Sequence, residues 1–442
     1  ESITEMTVAM GTGGGQIPLL TDATIQETKT DNFMEQVRKP DINLPEELKG
    51  KKFRIRKLTP RECFRLMGVD DHDIDLFEGQ YVVPNGMSYN SWIILDEKVC
   101  VMDTVDRAFA AEFMDKIKAA LGTRTPSYLV VSHVEPDHAS SVQAFLDVYP
   151  DVTLVGNAKT FQLLDNYFML GDTKKLTGKE GDTLHLGAHT LRFVMAPMVH
   201  WPEVMVSYEK TTKTLFSADG FGTFGALSNN VPWIDEATHY SFNIVGKYGP
   251  SVQTLLKKAG ALDIEAIAPL HGPVLPEDGN DLSYYIGKYD AWSKYEPETK
   301  GIVLLHASCH GNTASCIEDF AKELEVAGEK VKVLDLCRED VSEAVEKCFQ
   351  YDRIVLASIT YDGVLFPPME DLLYHLSIKN FQNRKVGLIE NGSWAPVAAK
   401  KMRDYLEGMK DVTILDPVVT IKTKRHAEDD AAFEALKKAL LS

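Results

Sequence analysis

Short apolar runs that end at a histidine or an acidic residue recur through the middle of the chain. Tyr128–Ser132 has the composition of a buried strand and leads directly into His133-Val134-Glu135-Pro136-Asp137-His138. Three later apolar runs are also followed by such a residue: 191–196 precedes His200, 214–218 precedes Asp219, and 264–270 precedes His271. Apolar runs of this length predict strands. Because strand ends can meet at one rim of a sheet, the pattern predicts that these polar residues converge.

Beyond about residue 300, apolar runs alternate with segments of helical periodicity. The predicted strands are 302–307, 331–336, 353–357, 385–389 and 412–419, and the predicted helices are 312–326, 340–349, 368–378, 396–408 and 426–441. Five strand–helix units predict a doubly wound parallel sheet of the flavodoxin type. Ligands of such sheets bind at the carboxyl ends of the strands.

The polar residues at the strand ends of the first part have the chemistry of metal ligands. They are four imidazoles and three carboxylates, without a thiolate: His133, Glu135, Asp137, His138, His200, Asp219 and His271. Such a set suits iron or manganese at least as well as zinc. Seven ligands are too many for one tetrahedral ion but fit two ions that share a bridging carboxylate. A set of unrelated histidines and acids is the simpler alternative.

Three loops at predicted strand ends in the last third could hold a cofactor. The first contains Ser308, Gly311, Asn312 and Thr313, the second Thr360, Tyr361, Asp362 and Gly363, and the third Asn391, Gly392, Ser393 and Trp394. The first loop opens a helix, which favours a bound phosphate, and the aromatics of the other two can flank a flat ring. Without GxGxxG or a Walker lysine, the loops point to FMN rather than a dinucleotide or ATP. Ordinary turns with buried aromatics are the alternative.

The order His-x-Glu-x-Asp-His, then His, Asp and His, is similar to the metallo-β-lactamase fold in the version found in flavodiiron proteins. The resemblance runs from Gly68 to the C-terminus. It implies two irons: one is held by His133, Glu135 and His200, the other by Asp137, His138 and His271, and Asp219 bridges them. Glu135 stands where hydrolases of this fold usually have histidine, which favours iron and redox chemistry. A binuclear zinc hydrolase is the alternative.

The resemblance also implies an architecture and a reaction. A metallo-β-lactamase-like αββα sandwich over 68–297 is expected to precede a flavodoxin-like doubly wound sheet over 298–442. The implied activity is reduction of O2 to water, or of NO to N2O, with electrons relayed through FMN. The implied assembly is a head-to-tail homodimer or a higher homo-oligomer. Because the sequence has no rubredoxin-like CxxC pair, a separate carrier such as rubredoxin is expected as the electron donor.

Three residues near the start of this resemblance are further candidates. His72, Glu78 and Tyr81 belong to a stretch that looks like the opening of the family. They would line the diiron pocket as proton donors or as partners of the ligands, or they would lie on the surface as loop residues. Cys309 and His310 depart from the hydroxyl-rich phosphate loops commoner in flavodoxins.

Residues 1–67 do not share the pattern of the rest. The segment 55–68 resembles a late motif of DNA cytosine-5 methyltransferases, and the glycine-rich stretch before it resembles the end of their target-recognition region. Thr59, Pro60 and Glu62 predict the start of a short helix. Methyl transfer needs a nucleophilic Pro-Cys loop and a glycine-rich cofactor site, and neither precedes this segment. We therefore expect a remnant or fusion without activity of its own.

Composition narrows the classes of partner and compartment. A hydrophobic content of 44% and a charged content of 25% are ordinary for a soluble globular protein. The net charge of −18 argues against nucleic acid or an anionic membrane as a partner. No apolar run approaches the ~20 residues that span a bilayer. Six scattered cysteines without a CxxC pair indicate reduced thiols. A cytoplasmic protein is expected.

Overall fold

The structure, a computed structural model, describes residues 64–442 apart from 67, 73, 75 and 278. Its strands in the first part of the chain are β1 (Phe64–Leu66), β2 (Val69–Asp71), β3 (Leu76–Phe77), β4 (Tyr81–Val82), β5 (Met87–Tyr89), β6 (Trp92–Ile94), β7 (Val99–Met102), β8 (Pro126–Val130), β9 (Thr153–Gly156), β10 (Lys175–Thr177), β11 (Thr183–His185), β12 (Thr190–Met195), β13 (Met205–Glu209), β14 (Thr214–Phe216) and β15 (Ala266–Ala268). The α-helices of this part are α1 (Ala110–Leu121), α2 (Pro136–Ala139), α3 (Val142–Val148), α4 (Ala158–Tyr167), α5 (Trp233–Tyr240), α6 (Gly249–Ala259) and α7 (Leu282–Ser293).

Two sheets pack face to face in this part. One has the order β1-β6-β7-β8-β9-β10 and the other the order β11-β12-β13-β14-β15. Side chains such as Trp92, Met102 and Val130 from the first sheet meet Phe193, Phe216 and others from the second in one buried cluster. Helices pack around this sandwich through the larger core, and the αββα prediction is confirmed.

The segment that resembles a methyltransferase contributes the edge of the first sheet. Phe64–Leu66 is a strand that pairs antiparallel with β6, so the predicted helix is wrong for these three residues. Strand pairing with a buried neighbour has overridden the local capping signal there. The start of that predicted helix, at Thr59 and Pro60, lies outside the described residues, as does the rest of 1–63.

The last third of the chain forms the predicted parallel sheet. Its strands are β16 (Thr299–Ala307), β17 (Val331–Asp335), β18 (Tyr351–Tyr361), β19 (Val364–Leu365), β20 (Arg384–Asn391), β21 (Val412–Ile414) and β22 (Val419–Ile421). Its helices are α8 (Asn312–Val326), α9 (Val341–Gln350), α10 (Pro367–Ile378), α11 (Ala398–Leu406) and α12 (Asp430–Leu441). The order β17-β16-β18-β20-β21 is the flavodoxin order, with β19 paired to β18 and β22 to β20. The predicted strand 412–419 corresponds to β21 and the irregular segment after it, and β22 begins only at its last residue, Val419.

The two parts meet through a buried junction. Phe242, in the π-helical turn Ser241–Val245, stacks on Phe349 of α9 with ring centroids 4.6 Å apart. Lys379, just after α10, is 7% exposed, and its Nζ donates to the Asn243 carbonyl at 2.6 Å and to the Tyr81 hydroxyl at 3.1 Å. None of the helices in the described part of the chain is long and apolar enough to cross a membrane.

The buried ammonium of Lys379 predicts a stability effect that depends on pH. Burial lowers the pKa of Lys379 from 10.5 to about 8, partly offset by Glu78. Between these values the unfolded chain binds a proton that the folded chain has released, so this residue makes the unfolding free energy rise with pH. The expected rise is up to about 3 kcal/mol. The Lys379→Met variant should lack this rise, which is measured as the change of the urea unfolding midpoint between pH 7.5 and 10. Lys322→Met, at an exposed ion pair, should keep it.

Candidate metal centre and cofactor loops

The seven predicted ligands come together at the ends of strands from both sheets. His133 and Glu135 lie in the loop after β8, and Asp137 and His138 lie on α2. The other three are His200 in the turn after β12, Asp219 after β14 and His271 after β15. His133, His138, His271 and Asp219 are each at most 1% exposed, and His200 is 8% exposed. Sequence reasoning therefore placed the seven at one site.

The first group of ligands surrounds Glu135. Its Oε2 lies 2.9 Å from His200 Nε2 and 3.1 Å from His133 Nε2. Asp219 Oδ2 lies 3.1 Å from His200 Nε2 and 3.7 Å from His133 Nε2. These four residues offer ligand atoms close enough together to hold one metal ion.

The second group surrounds Asp137. Its Oδ2 lies 3.3 Å from both His138 Nε2 and His271 Nε2, and these two nitrogens are 3.0 Å apart. The other oxygen of Asp219, Oδ1, lies 3.1 Å from His138 Nε2. Asp219 therefore presents one carboxylate oxygen to each group, which is the arrangement of a bridging ligand between two ions.

Buried partners orient two of the imidazoles. Glu203 is fully buried, and its Oε1 lies 2.8 Å from His133 Nδ1 and accepts from the Val134 amide at 2.8 Å. The Nδ1 of His271 lies 2.7 Å from the Ser88 carbonyl oxygen. Since each Nδ1 carries the proton of such a bond, each Nε2 directs a lone pair into the site. The sequence analysis missed Glu203, although an acid three residues after His200 in an apolar stretch is a usable signal.

Unsatisfied buried oxygens show that the set fits cations. Both carboxylate oxygens of Asp137 and Oδ1 of Asp219 are buried without a hydrogen-bond partner. Burial alone would raise the pKa of Asp219, but the imidazoles of His133 and His138 hold it well below its usual range. Buried carboxylates need positive charge beside them, which the imidazole protons supply when no metal is bound. Two divalent ions supply that charge and would use the oxygens that lack a partner.

The histidines show the opposite shift, because the neighbouring carboxylates raise their pKa values. Burial tends to lower the pKa of His200, but Asp219 and Glu135 outweigh it and raise the pKa to about 9. The pKa of His133 is likewise held well above its usual value, against burial, by Asp219, Glu135 and Glu203. Without metal these imidazoles therefore hold protons at neutral pH, and metal binding must displace them.

The three further candidates, His72, Glu78 and Tyr81, lie in different surroundings from one another. Glu78 faces Glu135 from the turn between β3 and β4, and burial followed by the charge of Glu135 raises its pKa to about 7. Tyr81 is buried and donates to the Asn243 carbonyl at 3.2 Å, within the junction between the two parts. His72 is exposed and bonds to the Ser228 hydroxyl at 3.1 Å. The surface interpretation therefore holds for His72, and Glu78 is the one of the three that approaches a ligand.

The three predicted cofactor loops follow the adjacent strands β16, β18 and β20. In the first, Gly311 precedes α8 with a φ of +83°, and the first turn of this helix has no side-chain cap, so its amides are available to an anion. Ser308 Oγ accepts from the Gly311 amide at 3.2 Å. Thr313 is buried within α8 and its hydroxyl accepts from Asn391 Nδ2 at 3.1 Å, which ties the first loop to the third. Asn312 is the first residue of α8.

The other two loops present aromatic rings to solvent. Tyr361 is 43% exposed and Trp394 is 82% exposed, an unusual arrangement that leaves a flat ligand room to bind between or beside them. Asp362 and Gly363 have positive φ values in the turn after β18. The hydroxyl of Thr360 accepts from the Val397 and Ala398 amides and so supports α11.

A residue that the sequence analysis missed completes the third loop. Thr423 follows β22, and its amide donates to Asn391 Oδ1 at 3.0 Å. Its hydroxyl lies 2.7 Å from that of Ser393, beside Gly392. The predicted strand ended at residue 419, so β22 was not predicted as a separate strand and the loop after it gave no signal.

Comparisons with known proteins agree with this architecture. Residues 87–272 match the family model described as ODP family beta lactamase. The protein MJ0732 of Methanocaldococcus jannaschii is 27% identical over 363 residues, which cover 80% of this chain and 91% of that one. The anaerobic nitric oxide reductase flavorubredoxin of Aeromonas hydrophila is 26% identical over 381 residues, 83% of this chain and 75% of that protein.

A solved structure has the same fold over most of its length. Rubredoxin oxygen:oxidoreductase from Desulfovibrio gigas superposes with a TM-score of 0.79 at 24% identity, covering 87% of this chain and 96% of that one. The chain also spans 50% to 63% of the length of four cyanobacterial diflavin flavoproteins, so it matches only part of those proteins. In sequence and in fold, from the first sandwich to the last sheet, the chain is similar to flavodiiron proteins.

Proposed function

We propose that the protein is an oxidoreductase that reduces O2 to water, or NO to N2O, at two irons with electrons relayed through FMN. The observation that carries this proposal is the position of Asp219, whose two oxygens face two separate groups of ligands. Glu135 in the first group adds a carboxylate where a zinc hydrolase would favour imidazole, and this supports iron. When bound, the two irons would supply the electrons that reduce a diatomic gas.

The protein's own residues set the conditions for that chemistry. His133, Glu135, His200 and Asp219 would hold one iron, and Asp137, His138 and His271 with Asp219 the other. Burial of these ligands excludes bulk water from the site. Glu78 approaches Glu135 at the edge of the site and is not itself a ligand, so it is placed to exchange a proton with the bound gas.

The parallel sheet in the last third of the chain would hold FMN. The uncapped first turn of α8, with Ser308, Gly311, Asn312 and Thr313, would bind the phosphate. Tyr361 and Trp394 would contact the ring, and Thr360, Asp362, Gly363, Asn391, Gly392 and Ser393 would shape the loops around it. The flavodoxin order of the strands supports this placement, because ligands of that fold bind at these strand ends.

The partners follow from the names of similar proteins. Rubredoxin oxygen:oxidoreductase and the nitric oxide reductase flavorubredoxin support O2 and NO as substrates and a rubredoxin-type protein as donor. The exposed edges of Tyr361 and Trp394 leave the ring site open to a second protein. A head-to-tail homodimer that brings the flavin of one subunit to the metals of the other, and a cytoplasmic location, complete the proposal.

An assay in a sealed cell with reduced rubredoxin and a measured addition of O2 or NO tests the proposal. Consumption of O2 or NO should require both iron and FMN, and the product should be water or N2O. Without loaded metal, the protein should still accept electrons at FMN but consume neither gas. Hydrolysis of an ester or amide substrate by a zinc-loaded protein that consumes neither gas would contradict the proposal and favour the binuclear hydrolase.

A further inference from the structure

Two exposed thiols stand beside the first cofactor loop. Among the described cysteines, Cys309 and Cys337 are exposed, whereas Cys100, Cys316 and Cys348 are buried. Cys309 lies in the loop between β16 and α8, where flavodoxins commonly have hydroxyl residues. Cys337 lies directly after β17. Neither thiol has a role in the metal centre or in the flavin contacts described above.

The parallel pairing of β16 and β17 brings these loops together. His306 pairs with Asp335, and the Leu336 amide donates to the His306 carbonyl at 2.9 Å. Two residues further on, Cys337 Sγ lies 3.8 Å from the carbonyl oxygen of Ser308, the residue before Cys309. Continuing this register places Ser308 opposite Cys337 and Cys309 one residue beyond. Strands about 4.8 Å apart with a rise of about 3.3 Å per residue then give a Cα separation of about 6 Å, within the range of about 4.4–6.8 Å that disulfides span.

We propose that Cys309 and Cys337 are a thiol pair that an organic disulfide, such as oxidised glutathione, converts to an intramolecular disulfide. The thiolate of one cysteine attacks a sulfur of oxidised glutathione and expels one glutathione thiolate. The second cysteine then attacks this mixed disulfide and expels the other. The cysteine sulfurs are oxidised, and the two electrons and the two thiol protons end on two reduced glutathione molecules.

Proximity rather than acidity drives the second step. Burial raises the pKa of both thiols, with a further contribution from Cys309 to that of Cys337. Neither thiol is therefore an unusually reactive thiolate at neutral pH. Once one cysteine carries glutathione, however, the second is held beside it, and an intramolecular attack outcompetes addition of another glutathione.

The disulfide would change the loop that binds phosphate. Ser308 and Gly311 form a turn in which the serine hydroxyl accepts the glycine amide. A bond from Cys309 to Cys337 would fix this turn beside the end of β17, so that the turn no longer adjusts to a phosphate at the first turn of α8. On the proposed function, FMN phosphate occupies that first turn, so disulfide formation and FMN binding should oppose each other by linkage.

The test uses the full chain with its bound FMN in a Cys63→Ser background, since Cys63 lies outside the described residues. Incubation with oxidised glutathione should yield a peptide pair joined through Cys309 and Cys337, which dithiothreitol separates. FMN recovered in the ultrafiltrate should rise by at least about fivefold over the Cys337→Ser protein treated in parallel. Cys337→Ser should carry only a glutathione adduct at Cys309.

Each alternative result has a definite meaning. Glutathione adducts on both cysteines without a joined peptide would overturn the proposal. A joined peptide with FMN fully retained would overturn the opposition between disulfide and cofactor. Purified protein that contains no FMN and takes none up would contradict the proposed function, while the peptide analysis would still decide whether the disulfide forms.

Discussion

Asp219→Asn is expected to empty the metal centre. Asn retains one oxygen but loses the charge that both groups share, and an amide nitrogen would replace Oδ1 or Oδ2, which lie 3.1 Å from imidazole nitrogens of the two groups. An uncharged bridge leaves two cations close together without the anion between them. Metal content should fall from about two ions per chain to well below one. Elemental analysis of the purified variant measures this loss directly, and gas consumption should disappear with it.

The control is an acid of the same type that makes no contact with the site. Asp165→Asn removes an exposed carboxylate that pairs with Lys175 at 3.3 Å, and exposed pairs contribute little to stability. This variant should keep its full metal content and activity. FMN content should be normal in both variants because the predicted flavin loops belong to the parallel sheet in the last third of the chain. Retention of both metals by Asp219→Asn would show that Asp219 is not the bridge.

Glu203→Gln is expected to weaken metal binding although Glu203 is not a ligand. A glutamine amide cannot supply the negative charge that stabilises His133 Nδ1–H, which lies 2.8 Å from Glu203 Oε1. The Nε2 of His133 then becomes less basic, and the ring is held less firmly in the orientation that directs Nε2 into the site. Replacing such a partner typically lowers metal affinity by about 10- to 100-fold. Faster loss of metal to a chelator, followed over time, is the measurement.

Glu209→Gln separates this effect from the general cost of changing a buried acid. Glu209 is also fully buried, but its carboxylate accepts from the Thr212 amide and hydroxyl, in a turn away from the metal ligands. Its replacement should lower the thermal midpoint and leave the chelator kinetics unchanged. If Glu203→Gln lost only thermal stability, as Glu209→Gln should, the assigned role of Glu203 would be wrong.

The sequence was most informative where chemistry and strand ends coincide. His133 to His138, His200, Asp219 and His271 each follow an apolar run, so their convergence could be inferred before the fold was known. The parallel sheet was equally predictable because each strand is followed by a helix of regular period. Local patterns of this kind are enough to predict the elements and the ends of the strands when burial and periodicity agree.

Features that depend on distant contacts could not be read in the same way. Glu203 stands out locally as an acid close to His200, but its partner is His133, 70 positions earlier, and nothing local identifies that partner. Phe64–Leu66 forms a strand because β6 offers it an edge, although its neighbours favour a helix start. His72 is turned toward Ser228, 156 positions away, rather than toward the metals. Each of these outcomes is set by tertiary packing, which overrides local preference.

The most direct test of the proposed function is the iron, zinc and flavin content of the anaerobically purified chain. We expect about two irons and one FMN per chain, with the ligands for both metals supplied by the seven residues at the strand ends. Zinc in place of iron, together with no flavin, would contradict it.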